Sequence, residues 1–249
     1  MKKLVLVCLF AAGCTVLPQV QVQGKVPLAG VKVGRGKVKI SSFIKVRVDA
    51  WVRLSSATSG VTVESKGAAD VPEMITHVFD NGIPAGQPVD VVFVVDATGS
   101  MHDDIDAVKN DMRRILAHLR QRNPDYRVGV VTYRDLKDDF VTRTVLQLST
   151  NDTEIHSAIS AIEVDGGGDW REHVYAGIDT ALDGQHWRPH ASQHLILMGD
   201  APPHEDYHHD PRNYHSVTAK AQTYPARVHI HTIGIRCDKS CEKALASGK

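Results

Sequence analysis

The sequence predicts an α/β fold: a doubly wound, mainly parallel sheet with helices on both faces, preceded by a small β element. Three observations predict it. From Pro88 onward, short apolar runs alternate with stretches of helical period, the pattern of strands joined by crossover helices. Residues 90–95 (DVVFVV) are apolar almost without interruption, as strands buried on both faces of a parallel sheet are. Finally, three acid-bearing loops follow apolar strands or open helices, which places them at the sheet edge where open α/β folds bind ligands.

The elements follow in chain order. Met1-Lys2-Lys3 and the apolar run at residues 4–12 have the layout of a secretory signal, and nine apolar residues fall short of the roughly 20 that span a bilayer as a helix. Ala11-Ala12-Gly13-Cys14 resembles the lipobox of bacterial lipoproteins. That resemblance implies a signal peptide over 1–13, lipidation at Cys14, and an extracytoplasmic location, membrane-anchored or secreted. Residues 14–30 read as a tether, since their prolines and glycines break any helical period. In residues 31–66, Ile44, Val46, Val48, Ala50, Val52 and Leu54 alternate with Lys45, Arg47, Asp49, Trp51 and Arg53, a period of two that predicts a half-buried strand with a solvated basic face. Shorter strand candidates lie at residues 37–40 and 61–64, and residues 67–87 read as a linker to the main domain at 88–249.

Within that domain, Ile105, Val108, Met112, Ile115, Leu116 and Leu119 recur at helical spacing. Residues 127–133 and 141–148 supply further strands. Asn151-Asp152-Thr153-Glu154 has the form of a helix start, and Val174, Ile178, Ala181 and Leu182 mark the next helix. Residues 194–198 and 227–235 are two more buried strands, with a helix at 211–221 between them.

The 249 residues balance 29 Lys+Arg against 29 Asp+Glu, but unevenly. Residues 14–66 carry nine basic and two acidic side chains, whereas 67–249 carry eighteen and twenty-seven. An acidic domain repels polyanions, so nucleic acid is excluded as a partner and cations are favoured. In an oxidising compartment Cys237 and Cys241 form a local disulfide; otherwise they are two free thiols, too few for structural zinc.

Asp96-Ala97-Thr98-Gly99-Ser100 sets one carboxylate and two hydroxyls at alternate positions after a strand. Such oxygen ligands suit a hard cation, although the same turn alone would serve as a helix cap. A second loop, Gly166-Gly167-Gly168-Asp169-Trp170-Arg171-Glu172, and a third, Gly199-Asp200-Ala201-Pro202-Pro203, bring further carboxylates to the same edge.

Residues 88–249 resemble a von Willebrand factor type A domain, and the three loops resemble its metal-ion-dependent adhesion site. The resemblance implies that Asp96, Thr98, Ser100, Glu172 and Asp200 hold Mg²⁺ or Mn²⁺. Thr98 stands for the usual serine. The segment Asp169 to Glu172 is similar to the D-x-P-E of integrin β subunits, with Arg171 in place of proline. Met101-His102-Asp103-Asp104 is similar to their adjacent cation site, so Asp103, Asp104 and Asp169 are candidates for a second cation such as Ca²⁺. Asp103 and Asp104 equally suit the first turn of a helix. Asp135, at the end of another strand, is a candidate supporting partner.

Six of the fourteen histidines fall between His190 and His215, and His204-Glu205-Asp206-Tyr207-His208 spells a zinc-hydrolase pattern. Prolines at 202, 203 and 211 leave little room for the helix that chemistry needs. A phosphoryl hydrolase would want a general acid two residues after Asp96, where Thr98 stands. The expectation is therefore a non-enzymatic, cation-dependent adhesion module whose partner protein presents a carboxylate. The alternatives are a metal-independent scaffold of a cell-envelope complex and, behind it, a metal-dependent hydrolase.

Overall fold

The structure, a computed structural model, describes residues 42–167, 171–205, 209–223 and 227–236. The expected signal, tether and strand at 37–40, together with Cys14, Asp169, Cys237 and Cys241, lie outside the described residues.

Six strands form one sheet: β1 (Thr62–Glu64), β2 (Val89–Asp96), β3 (Tyr126–Tyr133), β4 (Thr142–Ser149), β5 (Ser192–Gly199) and β6 (Val228–Gly234). Their order is β1-β6-β5-β2-β3-β4, parallel throughout except for the antiparallel β3–β4 pair. Among the described residues six helices cover it: α1 (Ser42–Thr58), α2 (Val71–Gly82), α3 (His102–Arg122), α4 (Asp152–Ser160), α5 (Val174–Gly184) and α6 (Tyr214–Thr223).

Strand β2 shows why its sequence lacks alternation. Val89, Val91, Phe93 and Val95 pack into one layer with side chains of α2, α3 and α4. Val92 and Val94 pack into the opposite layer with side chains of α1, α5 and α6. Both faces are dry, so every position favours an apolar residue, each stabilising by about 1.5–3 kcal/mol relative to exposure. Edge strand β4 is half exposed and carries Thr142, Arg143, Thr144 and Gln147, polar side chains that discourage pairing with another chain. The cap expected at Asn151 is present: its Oδ1 accepts from the amides of Thr153 (3.0 Å) and Glu154 (3.4 Å). Helix α6 begins at Tyr214, three residues later than expected, because Asn213 and Ser216 cap it reciprocally: each backbone amide donates to the other's side-chain oxygen, at 2.9 and 3.1 Å.

Two expectations for the N-terminal third are corrected. The half-buried strand read across Ile44 to Leu54 is helix α1. Its buried positions are Arg47, Ala50, Trp51, Leu54, Ser55 and Thr58, a helical period that polar residues disguise. Those polar groups are satisfied against the sheet. Thr58 Oγ1 accepts from the amide of Ile230 at 2.9 Å, and Ser55 Oγ lies 2.7 Å from Thr62 Oγ1. Arg47 is buried, not part of a solvated basic face. The linker read over 67–87 contains helix α2, whose Val71, Ile75, Val78 and Phe79 are fully buried. The strand expected at 61–64 does form, as edge strand β1 beside β6.

Candidate metal centre

Strands β2 and β5 are neighbours whose outgoing connections diverge, to β3 on one side and β6 on the other, which opens a crevice at the carboxyl edge of the sheet. Asp96 ends β2 inside that crevice and is fully buried. Thr98 donates to Asp96 Oδ1 twice, from its amide at 3.0 Å and its hydroxyl at 2.7 Å. Thr98 Oγ1 also lies 3.3 Å from Ser100 Oγ, and the Ser100 hydroxyl is hydrogen-bonded to Asp200 beyond β5. The alternate spacing of the first loop thus becomes a continuous line of oxygens from Asp96 to Asp200.

The second loop is locked against the first. Asp165 donates its amide to Ala97 O at 3.1 Å, and Gly99 donates to Gly166 O at 3.3 Å. Gly166 and Gly167 have φ of +78° and +84°, the left-handed region that glycine adopts without steric cost. A Cβ on Gly167 would stand 3.2 Å from Thr98 Cβ and 3.5 Å from Glu172 Oε1, so glycine lets the Glu172 carboxylate approach Thr98. Glu172 is buried, and its backbone forms a short parallel bridge to Pro203, with Glu172 N donating to Pro202 O (3.1 Å) and His204 N to Glu172 O (3.2 Å). Arg171 donates from Nη1 to Pro203 O at 2.8 Å and ties the second loop to the third.

In the third loop, a Cβ on Gly199 would stand 2.6 Å from Tyr133 Oη and 3.0 Å from Asp96 Oδ2. Only glycine allows that packing. The sequence alone gave no role to Asp138, which accepts from Gly167 N (3.1 Å to Oδ1) and from Asp135 N (3.0 Å to Oδ2) and so pins the glycine turn. Arg134 reinforces the loops through carbonyls, donating to Ala97 O at 2.9 Å and Glu163 O at 3.1 Å.

Acidic neighbours dominate the electrostatics of Asp96 and Glu172. Burial, then the field of Asp200, pushes the Asp96 carboxyl up to about 8, against the Thr98 hydrogen bonds. Burial, then Asp96, Asp135, Asp200 and Asp138, pushes Glu172 up to about 11. Burial also raises Asp200, opposed by the Ser100 hydrogen bond and by Arg47. Two buried carboxylate oxygens, Asp96 Oδ2 and Glu172 Oε2, have no hydrogen-bond partner. An acceptor left this way costs about 1–3 kcal/mol, more when charged, unless something neutralises it. Hard oxygen donors around two unmatched carboxylate oxygens fit a Mg²⁺-type cation, which needs few protein ligands and keeps waters for the rest. Among the described residues, no three His, Cys, Asp or Glu side chains alone form a metal cage, so any such site here draws on the hydroxyls of Thr98 and Ser100 as well.

The other candidates fall elsewhere. Asp103 is 92% exposed, with His102 Nδ1 at 3.6 Å, whereas Asp104 is buried in the first turn of α3. Asp135 is buried close enough to Glu172 to raise its carboxyl. In the zinc-like motif, Glu205 accepts a hydrogen bond from Tyr175 Oη at 2.9 Å, which ties it to α5. His173, adjacent to Glu172, lies 2.7 Å through Nε2 from Asp210, which Arg212 also grips.

The family model for the von Willebrand factor type A domain matches residues 90–247. The chain is 31% identical over 145 residues to the alpha-protein kinase vwkA of Dictyostelium discoideum, covering 57% of this chain and 22% of that protein. It is 28% identical over 116 residues to the putative ariadne-like RING finger protein R811 of Acanthamoeba polyphaga mimivirus, covering 47% of this chain and 11% of that one. Among solved structures, the SpRpn10 VWA domain aligns with a TM-score of 0.41 and 14% identity, over 66% of this chain and 96% of that one. The chain spans less than a quarter of either curated relative, so their whole-protein activities are not its own by inheritance. Domains of this type are commonly non-catalytic protein-interaction modules, and many bind a divalent metal. With a six-stranded, mostly parallel sheet and a family match over well over half its length, the chain belongs to the von Willebrand factor type A domain family.

Proposed function

We propose that this domain binds a partner protein through a divalent cation held by Asp96, Thr98, Ser100, Glu172 and Asp200. The observation that carries this reading is the pair of buried, partnerless oxygens, Asp96 Oδ2 and Glu172 Oε2, in a crevice of like charges. When bound, Mg²⁺ or Mn²⁺ supplies an electrophilic centre able to accept a carboxylate oxygen from a partner. The chain's own part is to hold its oxygens in place and exclude competing donors: Thr98 orients Asp96, Ser100 bridges to Asp200, and Gly167 admits Glu172. In the described part of the His-rich loop, Tyr175 holds Glu205 and Arg212 holds Asp210, which supports a framework role for those two acids. Signal cleavage, lipidation at Cys14 and extracytoplasmic display complete the reading, on the strength of the N-terminal sequence; Asp103, Asp104 and Asp169 stand as candidates for an adjacent Ca²⁺.

Calorimetric titration of Mg²⁺ and Mn²⁺ into chelator-stripped protein tests the proposal. Saturable binding that disappears in Asp96→Ala is the expected result; a folded wild type that takes up neither ion overturns it. A second reading, a metal-independent scaffold, draws on the raised Glu172 carboxyl, which stays protonated at neutral pH and lets the crevice persist without an ion.

A further inference from the structure

We propose that Arg47 is a positioning residue for the cation site, through which the placement of helix α1 sets the site's affinity; this rests on the cation-binding reading above. Arg47 lies far upstream of the segment that matches the family model. Its side chain is nonetheless buried beneath the third site loop. Nη1 donates to the backbone carbonyl of Asp200 at 3.2 Å and to that of Ile235, just past β6. Nη2 pairs with the Glu64 carboxylate on β1. One guanidinium therefore joins α1, the edge strand, the end of β6 and the main chain of a proposed cation ligand.

The neighbouring backbone reinforces that junction. Ile235 N donates to Gly199 O at 2.9 Å, and Ser65 N donates to Gly234 O at 2.8 Å. Glu64 lies flat on Gly234, where a Cβ would come within 1.9 Å of Oε1. A buried guanidinium costs several kcal/mol of desolvation, by order of magnitude, unless its donors are matched. Here Nη1 and Nη2 are matched by two carbonyls and a carboxylate, a forked geometry that Lys reproduces only in part, whereas the buried Nε has no hydrogen-bond partner.

The sign follows from two opposed effects. A cation near the site repels Mg²⁺, whereas a hydrogen bond to Asp200 O keeps that residue where a ligand must be. Glu64 neutralises the guanidinium, which cuts the repulsion and leaves positioning dominant. A partner or an anchor acting on α1 thereby acts on the site through this one side chain.

The experiment measures Mg²⁺ dissociation constants of the full chain by calorimetry, with hydrogen exchange at the Asp200 and Ala201 amides read in parallel. Arg47→Met is expected to weaken binding about tenfold, the scale of one hydrogen bond from a charged donor. Arg47→Lys is expected to recover part of the loss. Thr58→Val removes a buried hydrogen bond to Ile230 at the other end of α1, leaves the Arg47 contacts intact, and is expected to leave both readouts near wild type. Unchanged affinity and exchange in Arg47→Met, or an equal loss in Thr58→Val, overturns the proposal. If Arg47→Met does not fold, Glu64→Gln decides: it leaves the guanidinium charge uncompensated, so weaker Mg²⁺ binding supports the junction and unchanged binding refutes it. If the wild type binds no Mg²⁺, the function reading fails, and faster Asp200 exchange in Arg47→Met but not Thr58→Val still decides whether Arg47 positions the loop.

Discussion

Asp90 and Asp96 stand near opposite ends of one strand, both fully buried, in opposite electrostatic surroundings. Asp90 receives Arg127 at 3.0 and 2.6 Å, and Arg188 through its backbone amide at 2.8 Å and its Nε at 2.9 Å. Asp96 meets the fields of Asp200 and Asp138, with only Thr98 donating to it. Strand β2 thus carries a neutralised carboxylate at its amino end and an uncompensated one at its carboxyl end. The first is a structural staple; the second is strain that a cation would relieve.

That contrast predicts opposite outcomes for the same substitution. Asp90→Asn leaves two guanidiniums facing a neutral amide and should destabilise by about 3–5 kcal/mol, the cost of breaking a buried pair from one side. Asp96→Asn should leave the chelated protein as stable as wild type or more so at pH 8, while abolishing any rise in Tm on adding Mg²⁺. Thermal melts of both variants with EDTA and with Mg²⁺ read the two effects together. A large loss of stability in chelated Asp96→Asn would contradict the view of Asp96 as a strained ligand.

Cation uptake should release protons. Metal-free Glu172 titrates at about 11 and Asp96 at about 8, so at neutral pH the crevice holds protons that a cation must displace. Mg²⁺ affinity should therefore rise from pH 6 to pH 9, and the binding enthalpy at pH 7 should vary with the buffer's ionisation enthalpy. The stability sign runs the other way for chelated protein. Carboxyls raised in the folded state keep their stability below the unfolded carboxylate range and lose it as pH climbs through the folded values. Stabilisation by Mg²⁺ should accordingly be larger at pH 8 than at pH 6. Enthalpies identical in all buffers would show that no proton is displaced.

Much of this was legible before the structure. Strands β2 and β5 stood out by near-continuous apolar runs, β3 and β6 by shorter apolar stretches interrupted by Arg, Thr or His, and the three site loops because their acids sit at strand ends. Helix α1 was not legible, because Arg47, Ser55 and Thr58 face inward and are satisfied only by residues up to 188 positions away. Alternation at Ile44 to Leu54 then imitated a strand. Helix α2 hid in an apparent linker although Pro72 at its start and Ile75, Val78 and Phe79 at helical spacing mark it. Asp138 carries no local signal; only folding brings it to Gly167, whose φ of +84° needs glycine.

The domain should also weaken in acid through two histidines away from the cation site. Val61 N donates to His231 Nδ1 at 3.1 Å, so that nitrogen is unprotonated and Nε2 carries the hydrogen. His231 Nε2 then donates to His194 Nδ1 at 2.9 Å, and His194 Nε2 to Ser192 Oγ at 2.7 Å. Both rings are neutral in this chain. Burial, helped by neighbouring histidines, lowers His231 to about 3 and His194 well below its ordinary value. A histidine depressed in the folded state binds its proton more readily when unfolded, so stability falls as pH drops from about 6.5 towards the folded value, by about 1.4 kcal/mol per pH unit for each ring. In Mg²⁺-free protein the raised Asp96 and Glu172 carboxyls act with opposite sign and like slope over this range, so the histidine contribution is read as the difference between urea melts of wild type and His231→Gln from pH 6.5 to 4. His231→Gln should flatten the histidine contribution. A variant with the wild-type slope would place the acid sensitivity elsewhere.

Gly167 separates backbone strain from damage to the site. Gly86 and Gly167 have nearly the same φ, +79° and +84°, but a Cβ on Gly86 meets nothing within 4 Å, whereas one on Gly167 crowds Thr98. Alanine at either position should cost about 1–2 kcal/mol for the left-handed conformation. Only Gly167→Ala should also weaken Mg²⁺ binding, because Thr98, 3.2 Å from the added methyl group, must shift by a few tenths of an ångström, whereas Glu172 at 3.5 Å stays in ordinary contact. Ligand sets tolerate displacements of only about 0.5 Å, so a loss of a fewfold is expected by order of magnitude. Matched melts and Mg²⁺ titrations of the two variants check this. Equal stability losses with unequal cation affinities would assign Gly167 to the site; equal affinities would mean that Glu172 does not share a cation with Thr98.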